Sequence, residues 1–311
     1  MLPCICLSVR KASRAISRLY DRALAPAGLT NGQLTLLAHA KLSGPWTMPD
    51  LAARLKTERT TLVRNIRLLQ CKALLTFVED VDENRERVVV TTSKGDTVLA
   101  QAMPYWARAQ ATLFEELGTS SWEDAMTAVR VIDQAVLTLT AQTDSSTLVS
   151  RAAATVNQKH EPQFDGLREA RCTCWVVRRC ARALSRFYDE RLRSLELKIA
   201  QLHVLSAIDA HPDARIVRLV DMLTLDQTTL TRMVRHLVEL DYVRKGHVAG
   251  QKGRLALTVA GHAMLKQALQ TWQGVQEEIS ACLTRESMVQ IRDVMAMVSS
   301  AAGRAEVAYC G

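Results

Sequence analysis

The chain has 311 residues, 48% of them hydrophobic and 23% charged, with 13 glycines and 7 prolines. That length suits about two domains; the apolar content excludes a largely disordered chain, and so few breakers and aromatics exclude collagen-like and turn-dense all-β designs. The formal net charge of +8 suits a polyanionic partner without choosing among DNA, RNA and a lipid surface.

In chain order, Leu7 to Leu24 shows apolar residues at helical spacing with basic residues on another face, and Pro26 and Gly28 end that helix. Asn31 to Leu42 forms a second helix, capped by Thr30 or Asn31, with Leu34, Leu37 and Ala38 inward. Thr47 to Leu55 is a short helix with Pro49 in its first turn. Thr57 caps the next, which runs to about Cys71. Leu75 to Glu79 and Arg87 to Thr92 read as a hairpin with a charged tip. Ser93 to Leu117 and Trp122 to Thr140 are two longer helices. The fold class is mainly α with small β-wings: a winged helix-turn-helix with extra helices at both ends.

The pattern then returns. At an offset of 168, Cys4-x-Cys6 recurs as Cys172-x-Cys174, Arg10, Arg14 and Arg18 as Arg178, Arg182 and Arg186, and Tyr20-Asp21 as Tyr188-Asp189. Thr60-Thr61-Leu62 and Arg64 recur as Thr228-Thr229-Leu230 and Arg232. The offset then falls to 166, where Thr92, Gly95, Trp106 and Gln110 recur as Thr258, Gly261, Trp272 and Gln276. A run of matches with one deletion points to two homologous units, 1–145 and 168–311, joined by a polar linker at 146–167. Linking two modules replaces bimolecular assembly by an effective concentration. The expectation is an intramolecular pseudo-dimer, with Leu7–Leu24 and Trp122–Thr140 against Cys174–Leu192 and Arg285–Val298.

The helix ending at Cys71 carries the functional argument. Leu62, Ile66 and Leu69 face inward, and the opposite face presents Thr57, Arg59, Thr60, Thr61, Arg64 and Arg67. The second unit presents Thr228, Thr229, Arg232 and Arg235. Arginines reach guanine edges and hydroxyls reach phosphates or bases, as a major-groove helix requires. Arg85 and Arg87 at the first hairpin, and Lys252 and Arg254 at a shorter, glycine-rich second one, are candidate backbone or minor-groove contacts. The expected partner is double-stranded DNA, and the alternative is a winged helix that binds protein only. The two half-sites need not match, because Asn65 is replaced by Met233 and Leu68 by His236.

No secretory signal precedes Arg10, Lys11 and Arg14, and no apolar run reaches the roughly 18–20 residues of a membrane helix. The chain reads as cytoplasmic, with no membrane partner, and its eight cysteines as mostly thiols. One residue between paired cysteines is poor zinc spacing, so no metal or other cofactor is expected. An enzyme is not expected either: no Gly-rich phosphate loop, Gly-x-Ser-x-Gly or His-Glu-x-x-His is present.

Arg18-Leu19-Tyr20-Asp21, Leu24-Ala25-Pro26-Ala27-Gly28-Leu29, Gln33 to Leu37 and Arg59-Thr60-Thr61-Leu62-Val63-Arg64-Asn65 together resemble the MarR family of bacterial transcriptional regulators. Glu83-Asn84-Arg85-Glu86-Arg87 matches the family's wing signature only in part, and the second unit has lost it. The resemblance covers nearly the whole chain outside the linker. It implies a dimeric reader of a pseudo-palindromic operator, here carried in one chain, that responds to small aromatic acids or oxidants. Candidate effector residues are Arg14, Tyr20, His39 and Trp46, with Arg182, Tyr188 and His203. Candidate redox residues are Cys4, Cys6, Cys172 and Cys174, where a helix N-terminus and Arg10 or Arg178 would lower a thiol pKa.

Overall fold

The computed structural model describes residues 4–79, 87–141, 172–246 and 253–309. The expected linker, Arg85 and Lys252 lie outside the described residues. The first sequence copy forms α1 (Ile5–Leu24), α2 (Asn31–Leu42), β1 (Trp46–Thr47), α3 (Met48–Arg54), α4 (Arg59–Cys71), β2 (Leu75–Glu79), β3 (Arg87–Thr91), α5 (Ser93–Leu117) and α6 (Thr119–Ala141). The second forms α7 (Thr173–Arg191), α8 (Ile199–Ala210), β4 (Ala214–Arg215), α9 (Ile216–Leu223), α10 (Gln227–Glu239), β5 (Val243–Lys245), β6 (Arg254–Leu257), α11 (Val259–Ser280) and α12 (Arg285–Val307). Among the described residues, no helix is long and apolar enough to cross a membrane.

The chain packs as two compact units, and each draws on both sequence copies. One comprises Ala15–Met126, Ser146–Arg182 and Met297–Gly311; the other comprises Met1–Arg14, Thr127–Ser145 and Ala183–Ala296. We call them the α4 unit and the α10 unit.

In the α4 unit, α2 is sheathed on nearly all sides: Leu34, Leu36, Leu37, Ala38 and Ala40 are buried, and so are Asn31, Gln33, Thr35 and His39. A helix buried all round must satisfy its own polar groups. Thr30 therefore closes a capping box with Gln33, accepting its N–H at 3.3 Å while Gln33 Oε1 accepts the Thr30 N–H at 3.0 Å. The Asp21 carboxylate accepts the Asn31 N–H at 2.6 Å. The sheet order is β1-β3-β2, antiparallel throughout, with Phe77 opposite Val89 and Glu79 opposite Arg87. The two-residue strand β1 went unforeseen, because two residues carry no periodicity.

The α10 unit repeats this plan. Its sheet order is β4-β6-β5, with strands of three and four residues in place of the five-residue pair. Asp189 accepts the Ile199 N–H at 2.7 Å, as Asp21 does for Asn31. At the start of the long helix after each wing the chain approaches itself closely. A Cβ on Gly95 would lie 2.1 Å from the Leu74 carbonyl oxygen, and one on Gly261 2.0 Å from that of Tyr242. Only glycine fits there.

Candidate nucleic-acid interface

Each unit sets a short helix, a turn and an exposed helix in series. In the α4 unit, Leu51 and Leu55 anchor α3, and Leu62, Ile66 and Leu69 anchor α4. In the α10 unit, Leu219, Leu223, Leu230, Val234 and Leu237 do the same. The turns share one conformation: Lys56 and Thr224, equivalent in sequence, both have positive φ, at 45° and 52°. Non-glycine residues rarely adopt this region, so the turn is held in place by its surroundings.

Part of that hold comes from arginines at equivalent positions. Arg182 donates from Nη1 to the Leu55 carbonyl at 2.9 Å, at the end of α3. Arg14 donates from Nη1 to the Leu223 carbonyl at 2.8 Å, at the end of α9. A cation at a helix C-terminus satisfies a carbonyl and favours the dipole. Beyond the second turn, Asp226 caps α10, its carboxylate accepting the Thr229 N–H at 2.7 Å. Although partial burial opposes it, that bonding, with the nearby Arg14 charge, holds the Asp226 carboxyl below its usual range.

The faces turned to solvent are those expected, with one correction. Arg59, Thr60, Thr61, Arg64 and Arg67 are exposed along α4, as are Thr228, Arg232 and Arg235 along α10, with Thr229 half-buried. Thr57 is not on that face and does not cap α4. It is buried, its N–H bonds the Ala52 carbonyl, and Glu58 occupies the N-cap position. The helix begins one residue later than its hydroxyl suggests, because Thr57 itself is taken up by the turn after α3. An open groove of about 540 Å³ runs beside α4, lined by Arg59, Thr60, Val63, Arg64, Arg67, Leu68 and Cys71. A second recess of about 610 Å³ lies between α10 and residues 196–201, with Lys198, Gln201, Arg232 and Arg235 on its walls. On the first wing, the exposed Arg87 guanidinium sits 4.9 Å from the Phe77 ring centroid, which fixes its direction. Arg254 on the second wing is half-buried.

The expected effector residues do not form one open pocket. Arg14 and Arg182 hold helix ends, as above. Tyr20 and Tyr188 are fully buried, and each hydroxyl is hydrogen-bonded to a glutamine, Gln110 or Gln276. His203 is buried in α8, where its ring interacts with the Cys4 thiol. His39 and Trp46 do meet: the indole N–H donates to the His39 carbonyl at 3.1 Å. The His39 Nδ1 lies 2.8 Å from the Thr35 carbonyl. Burial first, then the charges of Arg54 and Arg178, bring its pKa down to about 4 against the pull of that carbonyl.

Trp175 completes this corner, and sequence reading missed it. Its ring lies 5.5 Å from that of His39, with the guanidinium of Arg179 4.9 Å and that of Arg54 5.8 Å from its centroid. The Trp175 indole N–H and the His39 Nε2 are buried with no hydrogen-bond partner among the described residues. The available signal was the spacing of Trp175 and Arg179, four apart on one helix.

All four paired cysteines are buried thiols. Trp106 donates its indole N–H to Cys172 at 3.4 Å, and Trp272 donates to Cys4 at the same distance. The expected lowering of thiol pKa by helix ends and arginines is overturned for three of them. Burial pushes Cys6 and Cys172 up, and Cys174 up to about 12, although Arg10 or Arg178 pulls each the other way. Desolvating a thiolate completely outweighs one nearby guanidinium. Among the described residues, no group of three or more His, Cys, Asp or Glu could hold a metal ion.

Residues 197–247, which hold α8 to β5, match the MarR family. Two crystal structures of the Mycobacterium tuberculosis transcriptional regulator MosR are similar. One, in complex with DNA, is 38% identical over 37% of this chain and 84% of that one, with a TM-score of 0.33. The other is 33% identical over 45% of this chain and 97% of that one, with a TM-score of 0.37. A Staphylococcus aureus MepR–DNA complex is 17% identical over 41% of this chain and 95% of that one, with a TM-score of 0.37. No curated protein matches. On the match at 197–247, the segment from α8 to β5 is a MarR-family domain.

Proposed function

We propose that this protein is a cytoplasmic, non-enzymatic transcriptional regulator, an effector-responsive repressor. It binds double-stranded DNA through α4 and α10, two fused copies reading one pseudo-palindromic operator as an intramolecular pseudo-dimer. One observation carries the reading. On two equivalent helices, Thr60, Arg64 and Arg67, and Thr228, Arg232 and Arg235, stand outward while every apolar residue at i, i+4 and i+7 is buried. The wings add Arg85 and Arg87, and Lys252 and Arg254, as backbone contacts. Affinity for DNA from upstream of its own gene, measured against salt, tests this. Several phosphate contacts give a steep fall in affinity with salt. A flat response, or no binding, favours a protein-only partner. Arg64→Ala and Arg232→Ala should each weaken specific binding by about 1–3 kcal/mol.

For the effector we propose a small aromatic acid that competes for Arg182 or Arg14. A carboxylate is a stronger acceptor of a guanidinium than the Leu55 or Leu223 carbonyl, because its charge assists the bond. Taking the arginine away would release the end of α3 or α9 and loosen the helix that follows. His39 and Trp46 would supply the aromatic contacts near Arg182. Calorimetry against phenolic and indolic acids should show binding that Arg182→Ala weakens; no binding by any of them sinks the idea. Thiol sensing at Cys4, Cys6, Cys172 and Cys174 is the less favoured switch, because these thiols are buried and three are held protonated. DNA affinity unchanged by peroxide would dismiss it.

A further inference from the structure

We propose that the operator is directional: Arg59 and Val63 specify one half-site, and Gln227 and Thr231 specify a different one. The inference rests on the DNA-binding reading above and goes beyond it. Helices α4 and α10 are both 13 residues long, so their faces compare position by position. Thr60, Arg64 and Arg67 are matched by Thr228, Arg232 and Arg235, which gives the half-sites a common part. The first residue of each helix is not matched. It is Arg59 in α4 and Gln227 in α10, and both are exposed. N-terminal residues of a recognition helix reach base edges. Arginine presents two donors, which suit guanine O6 and N7, whereas glutamine presents one donor and one acceptor, which suit adenine N7 and N6.

One turn further along the same face, Val63 stands where α10 has the exposed Thr231. Valine offers only apolar contact, as a thymine methyl group prefers; threonine adds a hydroxyl. The C-terminal ends differ in charge as well. Leu68, 45% exposed, and the exposed Cys71 flank Arg67. Their counterparts His236 and Glu239 flank Arg235, with the Glu239 carboxylate 3.9 Å from the Arg235 Nε and 3.8 Å from the His236 Nδ1. A carboxylate there repels phosphate and competes for Arg235, so the α10 half-site should contribute less of the affinity and of its salt dependence.

Selection of duplexes from a random DNA pool by the full chain tests this. The expected consensus is two related half-sites that differ at one equivalent position, guanine in one and adenine in the other. Arg59→Gln should turn that guanine into adenine in one half only, and weaken binding of the originally selected duplex about five- to hundredfold. Gln227→Arg should instead make the consensus symmetric at that position. Both positions are exposed, and circular dichroism checks that the variants fold. A palindromic consensus from the unaltered chain, or an Arg59→Gln change that alters both halves or neither, overturns the directional reading and leaves DNA binding intact. Recovery of nothing above the random pool overturns both.

Discussion

The bonds that shape the α4 unit recur in the α10 unit, whereas the corner around His39 does not. Tyr20 meets Gln110 as Tyr188 meets Gln276, Trp106 meets Cys172 as Trp272 meets Cys4, and Arg182 holds Leu55 as Arg14 holds Leu223. At the corner, His39, Arg54, Trp175 and Arg179 are replaced by Ala207, Met222, Leu7 and Lys11. The recurring set satisfies buried polar groups that the backbone path creates, so both copies need it. The corner satisfies none of them. It leaves a buried imidazole nitrogen and an indole N–H without a partner among the described residues, and the equivalent positions of the other copy, Ala207 and Leu7, carry no polar group. The repeated bonds thus mark what the fold requires, and the unrepeated corner marks what only one unit does.

The sharpest way to break this comparison is at the shared glycines. Gly95→Ala and Gly261→Ala each force a Cβ against a backbone carbonyl, which cannot swing aside as a side chain would. Each should cost about 3 kcal/mol or more in denaturant unfolding, with similar losses. A loss at one position alone would show that the two frameworks are not equivalent.

The next test sharpens the difference. His39 takes a proton near pH 6.5 when unfolded but only near pH 4 when folded. Between those values the unfolded chain binds more protons, so stability rises with pH. The contribution is complete above pH ~6.5 and is lost as pH falls toward 4, by about 3 kcal/mol in all. The α10 unit has Ala207 at that place and no such term. Stability against pH should therefore be flatter in His39→Gln over this window; an unchanged slope would remove His39 from the explanation.

Smaller effects follow from single hydrogen bonds. Tyr20→Phe and Tyr188→Phe should each cost about 1–2 kcal/mol, because a half-buried glutamine loses its tyrosine partner in both units. Thermal unfolding reads this directly, and a neutral result at either site would mean the glutamine finds another. Smallest of all, Asp226→Ala removes the side-chain cap of α10, at about 1 kcal/mol. Hydrogen exchange should quicken in the first turn of α10 and stay unchanged in α4, which has Glu58 at its N-cap and no such side-chain bond.

Much of this architecture was legible in the sequence. The long helices announced themselves by apolar spacing, and α2 and α5 begin and end where their caps and breakers placed them. The outward faces of α4 and α10 were read from the same spacing, because a helix with one buried stripe has its opposite face determined. What stayed hidden depends on contact between distant segments. Arg14 and Arg182 looked like free guanidiniums because the carbonyls they hold lie 209 and 127 residues away. Thr57 looked like a cap because nothing local shows that the preceding turn buries it. The cysteines looked poised for ionisation because helix ends and arginines are visible in sequence, whereas full burial is not.

One consequence concerns the order in which the chain can fold as it is made. The α4 unit includes Met297–Gly311, and within it Arg18 and Arg22 pair with Glu306 while Arg304 pairs with Glu116. A domain built from contiguous sequence can fold as it leaves the ribosome. This unit holds the earlier-made of the two winged helices, yet its last pieces, Met297–Gly311, are made after the whole of the later one. The first copy must therefore wait, with part of its apolar surface uncovered, until the second winged helix and the end of α12 have been made.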